Sequence, residues 1–166
     1  MARSLSPLKA IVYGGLTVGA LDLTDAFVFF YLRSGAKPLA ILHSIASGLV
    51  GPAAARDGGM QTAVLGFFLH FLIAFIIATI YFVASRLIPI LRQRPVICGI
   101  AYGVVAYFVM TYAVVPMSNA RSGGPFVLPV FINGILIHMF GVGLPSALVA
   151  SRVPRLPVPG SRFPAS

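Results

Sequence analysis

Acidic residues are scarce in this chain of 166 residues, which contains 3 Asp+Glu against 12 Lys+Arg. Charged residues make up only 9% of the sequence, while hydrophobic residues make up 58%. Soluble domains carry about a quarter charged residues, so this composition excludes an ordinary soluble enzyme or binding module. The mean hydropathy of +0.97 indicates an integral membrane protein.

Cysteine is represented by a single residue, Cys98, which excludes an intramolecular disulfide and a thiol-based metal finger. The recognisable catalytic motifs are missing as well: there is no G-x-S-x-G, no H-E-x-x-H, no phosphate-binding glycine loop and no paired-cysteine motif. The sequence therefore predicts no enzyme, no catalytic residue, no resident cofactor and no metal site.

Four long apolar stretches fill most of the chain, at about 11–32, 60–88, 95–115 and 126–150. Each is near or above the roughly 20 residues that a helix needs to cross a bilayer. Transmembrane strands would alternate in polarity over about ten residues, and none of these stretches does so. The pattern predicts an all-α membrane protein with four transmembrane helices in a close-packed bundle, forming one domain over residues 1–151.

Two segments lie outside these stretches. Residues 38–50 are apolar but too short to cross, and His43, Ser44 and Ser47 form one polar stripe on their helical wheel. We expect a short amphipathic helix that lies in the outer interface or re-enters the membrane. Residues 152–166 alternate arginine and proline without an apolar period, which predicts a disordered basic tail near anionic lipid.

Basic residues lie at the ends of the apolar stretches. In a soluble protein a net charge of +9 would indicate nucleic acid, but this distribution is typical of membrane topology, and no nucleic-acid partner is expected. With the N-terminus inside, eight basic residues lie on the inner side: Arg3, Lys9, Arg86, Arg92, Arg94, Arg152, Arg155 and Arg162. Four lie on the outer side: Arg33, Lys37, Arg56 and Arg121. This excess predicts that both termini are cytoplasmic.

Small residues group on one face of each predicted span, where they allow helix backbones to approach closely. The first span contains a pair of glycines four residues apart, which is typical of helix contacts in membranes. The predicted helix-packing glycines are Gly15, Gly19, Gly66, Gly99, Gly103, Gly134 and Gly141.

Polar side chains occur on these same faces at similar depths. At 1.5 Å per residue, Asp22 and His70 lie about 15 Å from the outer ends of their spans and His138 about 18 Å. Asp25 and Asn133 lie about 10 Å from the outer end, one turn shallower. A carboxylate in hydrocarbon is costly unless it faces a partner or water. We refer to these five residues as the polar layer.

Two functions are compatible with the polar layer. In the first, Asp22 accepts hydrogen bonds from His70 or His138, the layer fixes helix register, and the protein is a structural, assembly or interaction partner. In the second, the carboxylates and imidazoles form a proton relay or cation site in a small oligomeric transport element. The expected partners are the lipid bilayer and either a second copy or another membrane protein.

Three segments resemble small four-helix inner-membrane proteins of bacteria that are grouped as domains of unknown function. They are residues 15–22, the Phe-Phe-Leu-His-Phe segment around His70, and residues 138–145 with their Gly-Val-Gly-Leu-Pro ending. The resemblance extends over most of residues 8–151. It implies a bacterial inner-membrane protein and implies no activity, cofactor or catalytic residue. The excess of arginine over lysine and the frequent alanine, glycine and proline agree with a bacterial source.

Overall fold

The structure, a computed structural model, describes residues 5–120 and 124–154, and these ranges contain helices and no strand. Four helices are long and apolar enough to cross a membrane. They are α1 (Pro7–Ser34), α4 (Gly59–Leu87), α6 (Pro95–Met117) and α7 (Leu128–Ser151). The shorter helices are α2 (Pro38–Val50), α3 (Pro52–Asp57) and α5 (Ile90–Gln93). The predicted fold class, with four spans and a short apolar helix after the first, is confirmed.

Local sequence signals explain where these helices begin and end. The side chain of Ser6 accepts a hydrogen bond from the backbone N–H of Lys9, and Pro7 occupies the first turn of α1. Proline also stands in the first turn of α2, α3, α6 and α7, where its missing N–H leaves no helical bond unmade. Gly35 ends α1 with a φ of 68°, a left-handed conformation that favours glycine.

Two of the long helices contain a wider π-helical turn, at Met110–Val114 in α6 and His138–Gly143 in α7. A proline follows each turn closely, Pro116 in α6 and Pro145 in α7. Proline lacks an N–H, and its ring clashes with the carbonyl group four residues earlier. The wider turn accommodates this defect without breaking the helix.

The two ends of the described chain meet at one end of the bundle, which we call the terminal end. The backbone N–H of Leu5 donates to the carbonyl oxygen of Arg152 over 3.1 Å. The buried Tyr81 donates from its hydroxyl to the carbonyl oxygen of Leu91 over 2.9 Å. Val153 is buried in the same apolar cluster, so the packed region continues to Pro154. Of the predicted tail, residues 155–166 lie outside the described residues.

Glycines bring α6 and α7 into direct backbone contact. A Cβ atom added at Gly103 would lie 2.6 Å from the Cα atom of Met139 and closer still to the carbonyl oxygen of His138. A Cβ atom at Gly99 would lie 2.9 Å from the carbonyl oxygen of Gly143. Gly143, which the sequence reading did not single out, therefore completes this contact.

The other predicted glycines have different neighbours. Gly15 and Gly19 make room for the rings of Phe75 and Phe71 of α4. Gly134 makes room for the ring of Tyr107, and a Cβ atom at Gly141 would meet Ile137 of its own helix. Gly66 contacts the carbonyl group of Leu42 in α2. The short helix therefore packs directly against α4.

Helix α2 is held at the opposite end of the bundle, which we call the distal end. The Nε2 atom of His43 lies 2.8 Å from the carbonyl oxygen of Gly59 at the start of α4. The side-chain amide of Asn119 donates to the carbonyl oxygen of Leu49 over 2.8 Å, and its backbone N–H donates to that of Gly48 over 2.9 Å. The two bonds from Asn119 satisfy carbonyl groups at the C-terminus of α2, which have no partner within the helix.

Candidate functional site

Asp22 and His70 connect α1 with α4. The Nε2 atom of His70 lies 3.0 Å from the carbonyl oxygen of Gly19 and 4.0 Å from the Oδ2 atom of Asp22. A carbonyl oxygen only accepts hydrogen bonds, so the proton is on Nε2 and His70 donates to Gly19. The sequence predicted that His70 donates to Asp22, but His70 donates instead to the backbone carbonyl of Gly19, one turn away along α1. Asp22 remains at ion-pair distance should His70 take up a second proton.

Asp25 and Asn133 connect α1 with α7. The side-chain amide of Asn133 donates to the Oδ2 atom of Asp25 over 2.7 Å. Both side chains are partly buried. The two residues were expected at the same depth, and the structure brings them into direct contact.

His138 is bonded within its own helix. Its Nδ1 atom lies 2.9 Å from the carbonyl oxygen of Gly134, so Nδ1 carries the proton. The ring stands edge-on to Tyr107 at a centroid distance of 5.4 Å. Asp22 and His138 both lie near Asp25. Tyr107 is a neighbour that the sequence reading missed, although it follows directly after the small-residue face of α6.

The polar layer is therefore a set of adjacent pairs. Within the described residues, one pair joins α1 to α4, another joins α1 to α7, and His138 lies beside the second pair. The interactions within the layer are hydrogen bonds between helices and, between His70 and Asp22, a contact at ion-pair distance. In the described part of the chain, no group of three or more His, Cys, Asp or Glu side chains is positioned to hold a metal ion.

An apolar cluster closes the terminal side of the polar layer. Val18, Ala74 and Val142 are 1%, 3% and 2% exposed and pack together. Each lies four residues toward the terminal end from Asp22, His70 and His138, respectively, about 6 Å along the helix. The cluster thus forms a dry barrier one turn beyond three members of the layer.

The distal side of the layer is more open. Asp22 lies on the same face of α1 as the buried Gly15, Val18 and Gly19, yet 27% of its side chain is exposed. In the described helices, no residue of α1 after Leu23 is buried, and none of α6 after Tyr107. The distal half of α7 likewise has no buried residue before Gly141. The residues around the carboxylate of Asp22 therefore do not enclose it.

Comparisons with known proteins do not connect this arrangement to a characterised site: no family model, no curated protein and no solved structure matches the chain.

Proposed function

We propose that the protein is a multi-pass protein of the bacterial inner membrane that acts as a structural or assembly partner, with its polar layer holding the helices in register. The observation that carries this proposal is the dry cluster of Val18, Ala74 and Val142. A hydrated path through the bundle would have to cross this cluster. The three tightly packed apolar side chains close any such path one turn below the layer.

The hydrogen bonds of the layer support the same function. His70 of α4 and Asn133 of α7 both bond to α1, at Gly19 and Asp25. Hydrogen bonds between membrane helices contribute about 0.6 kcal/mol on average, so their main effect is to favour one register. A fixed register suits a protein that presents a constant surface to a partner.

The proposed location and orientation in the bacterial inner membrane rest on the distribution of basic residues and on the resemblance to bacterial inner-membrane proteins. The positive-inside rule favours a cytoplasmic terminal end. There Arg86 and Arg92 donate to the carbonyl oxygens of Pro154 and Val153. The lipid bilayer is the first partner. The second is another copy of the chain or a different membrane protein, which would cover the exposed distal parts of α1, α6 and α7.

A small transport element that couples to protons or cations is the second candidate. The exposure of Asp22 favours it, because a partly exposed carboxylate 4.0 Å from an imidazole is the kind of pair that proton relays use. In this function Val18, Ala74 and Val142 form a closed gate, and a second copy completes the path.

Flux and stability measurements on the same variants separate the two functions. Wild type, Asp22→Asn and the control Asp57→Asn are reconstituted in liposomes, and proton and cation flux is measured over a range of pH. Asp57 is exposed and lies outside the layer. A structural partner gives no flux above empty liposomes, and Asp22→Asn still folds. Flux in wild type and Asp57→Asn that disappears in Asp22→Asn contradicts the structural function and establishes transport.

Partner capture tests the structural function directly. Cross-linking in native membranes should recover the full chain in a complex of fixed stoichiometry, with a second copy or with another membrane protein. Recovery of the chain alone, at its native level and under several cross-linker lengths, contradicts the proposal.

A further inference from the structure

A cleft of about 640 Å³ opens at the distal end between α2 and α3, away from the polar layer. One wall is the polar stripe of α2, with His43, Ser44 and Ser47. The other wall is α3, which contributes Arg56. The remaining lining residues are small or compact: Ala40, Pro52, Ala53 and Ala120. Polar groups thus converge on a space that small side chains leave open.

Two polar side chains in this cleft have donors that no described residue uses. The Nε2 atom of His43 and the hydroxyl of Ser47 bond to the carbonyl oxygens of Gly59 and Ser44. The hydroxyl of Ser44 is exposed and bonds to no described residue. The Arg56 guanidinium likewise makes no hydrogen bond or ion pair with the described residues. Ser44 and Arg56 therefore keep their donors available to a ligand.

The charge around the cleft favours an anion. The chain has only three acidic residues, of which Asp22 and Asp25 belong to the polar layer. The third, Asp57, does not line the cleft. Lys37 is exposed at the start of α2, three residues before the lining residue Ala40, and Asp57 follows Arg56 at the end of α3. No lining residue supplies a carboxylate that would compete for Arg56.

We propose that this cleft binds a phosphate group, with Arg56 as the charged anchor and Ser44 as a neutral donor. The planar guanidinium matches the oxygens of a phosphate and can donate two parallel hydrogen bonds to it. The alanines allow the phosphate and its ester to approach the helix backbones. The phosphate belongs either to an anionic phospholipid headgroup or to a soluble phosphate ester, because both present the same oxygens.

Lipid and soluble probes distinguish these two sources. The full chain is purified in detergent, and binding of phosphatidylglycerol and of glycerol 3-phosphate is followed by native mass spectrometry and by the shift in melting temperature. Phosphatidylcholine, which has no net charge, is the lipid control. We expect Arg56→Gln to weaken binding about tenfold, as one charge-assisted contact implies. The matched control is Arg33→Gln, which removes an exposed arginine outside the cleft.

A steric pair of variants tests the cleft without changing charge. Ala53 lines it, whereas its exposed neighbour Ala54 does not, so Ala53→Leu should weaken binding and Ala54→Leu should not. Selective loss of phosphatidylglycerol in Arg56→Gln and Ala53→Leu assigns the site to a lipid. Selective loss of glycerol 3-phosphate assigns it to a soluble ester. Equal binding by Arg56→Gln and Arg33→Gln, or no binding of either probe by wild type, overturns the proposal.

Discussion

The side-chain amide of Asn133 lies 2.7 Å from the Oδ2 atom of Asp25, a contact between residues 108 positions apart. It ties the first long helix to the last one. Because α1 and α7 also pack together nearer the terminal end, this bond fixes how the two helices are rotated against each other. In the described helices, α1 after Leu23 and α7 before Gly141 contain no buried residue, so the pair is more important there than a single hydrogen bond would be in a tight core.

A double-mutant cycle on this pair should show coupling. Asn133→Ala leaves the Asp25 carboxylate without its donor, which we expect to lower the free energy of unfolding by about 1–3 kcal/mol. Asp25→Asn weakens the same bond, so the double variant should lose less than the sum, by about 0.6–1.7 kcal/mol. Unfolding in mixed micelles measures all four proteins. Additive losses would show that the two side chains do not interact.

Gly103→Ala should separate α6 from α7. Its Cβ atom would collide with the backbone at His138 and Met139, and backbone cannot rotate away as a side chain can. We expect a loss of about 1–3 kcal/mol in the free energy of unfolding. Gly124→Ala is the control, because a Cβ atom there meets nothing within 4 Å. Equal melting temperatures for the two variants would contradict this close contact.

Tyr102→Phe should destabilise the bundle more than Tyr107→Phe. The hydroxyl of Tyr102 donates to the carbonyl oxygen of Ile77 over 2.7 Å, whereas that of Tyr107 bonds to no described residue. Removing a hydroxyl that makes a hydrogen bond costs about 1 kcal/mol, and the second change should cost little. Thermal unfolding of both variants tests this order. A larger loss in Tyr107→Phe would be the contradicting result.

A reporter enzyme that functions only in the cytoplasm should be active when it is fused to the C-terminus. Leu5 and Arg152 are hydrogen-bonded at one end of the bundle, so both chain ends of the described region share a side. The excess of basic residues at this end predicts that the side is cytoplasmic. Activity from a reporter that functions only outside the cytoplasm would contradict this orientation. The inner and outer sides of every helix would then have to be exchanged.

The polar stripe of α2 shows what a helical wheel can predict and what it cannot. The wheel predicted that His43, Ser44 and Ser47 share a face, because residues three and four apart lie on one side of a helix. It left open whether this face meets headgroups or the bundle. In the structure the stripe lines the cleft, and His43 also bonds to α4. The opposite wall comes from Pro52 to Arg56, which no periodicity of α2 could indicate.

His70 illustrates the same limit inside the bundle. Its depth could be counted from the sequence, since helix rise is constant. Its hydrogen-bond partner could not be predicted, because every residue has a backbone carbonyl and the sequence does not indicate which one lies nearby. In the structure His70 donates to the carbonyl oxygen of Gly19, and the Asp22 carboxylate lies 4.0 Å from Nε2 of His70.

By itself, the sequence determined that the chain forms four long apolar helices and one short one, because length, hydropathy and prolines at helix starts act locally along the chain. Only the tertiary structure decided which polar side chains meet, and that Val18, Ala74 and Val142 pack into a dry cluster beneath them. These contacts join residues far apart in sequence. They depend on the rotation and spacing of whole helices, which are set by packing at glycines such as Gly99 and Gly103 and by the wider turns before Pro116 and Pro145.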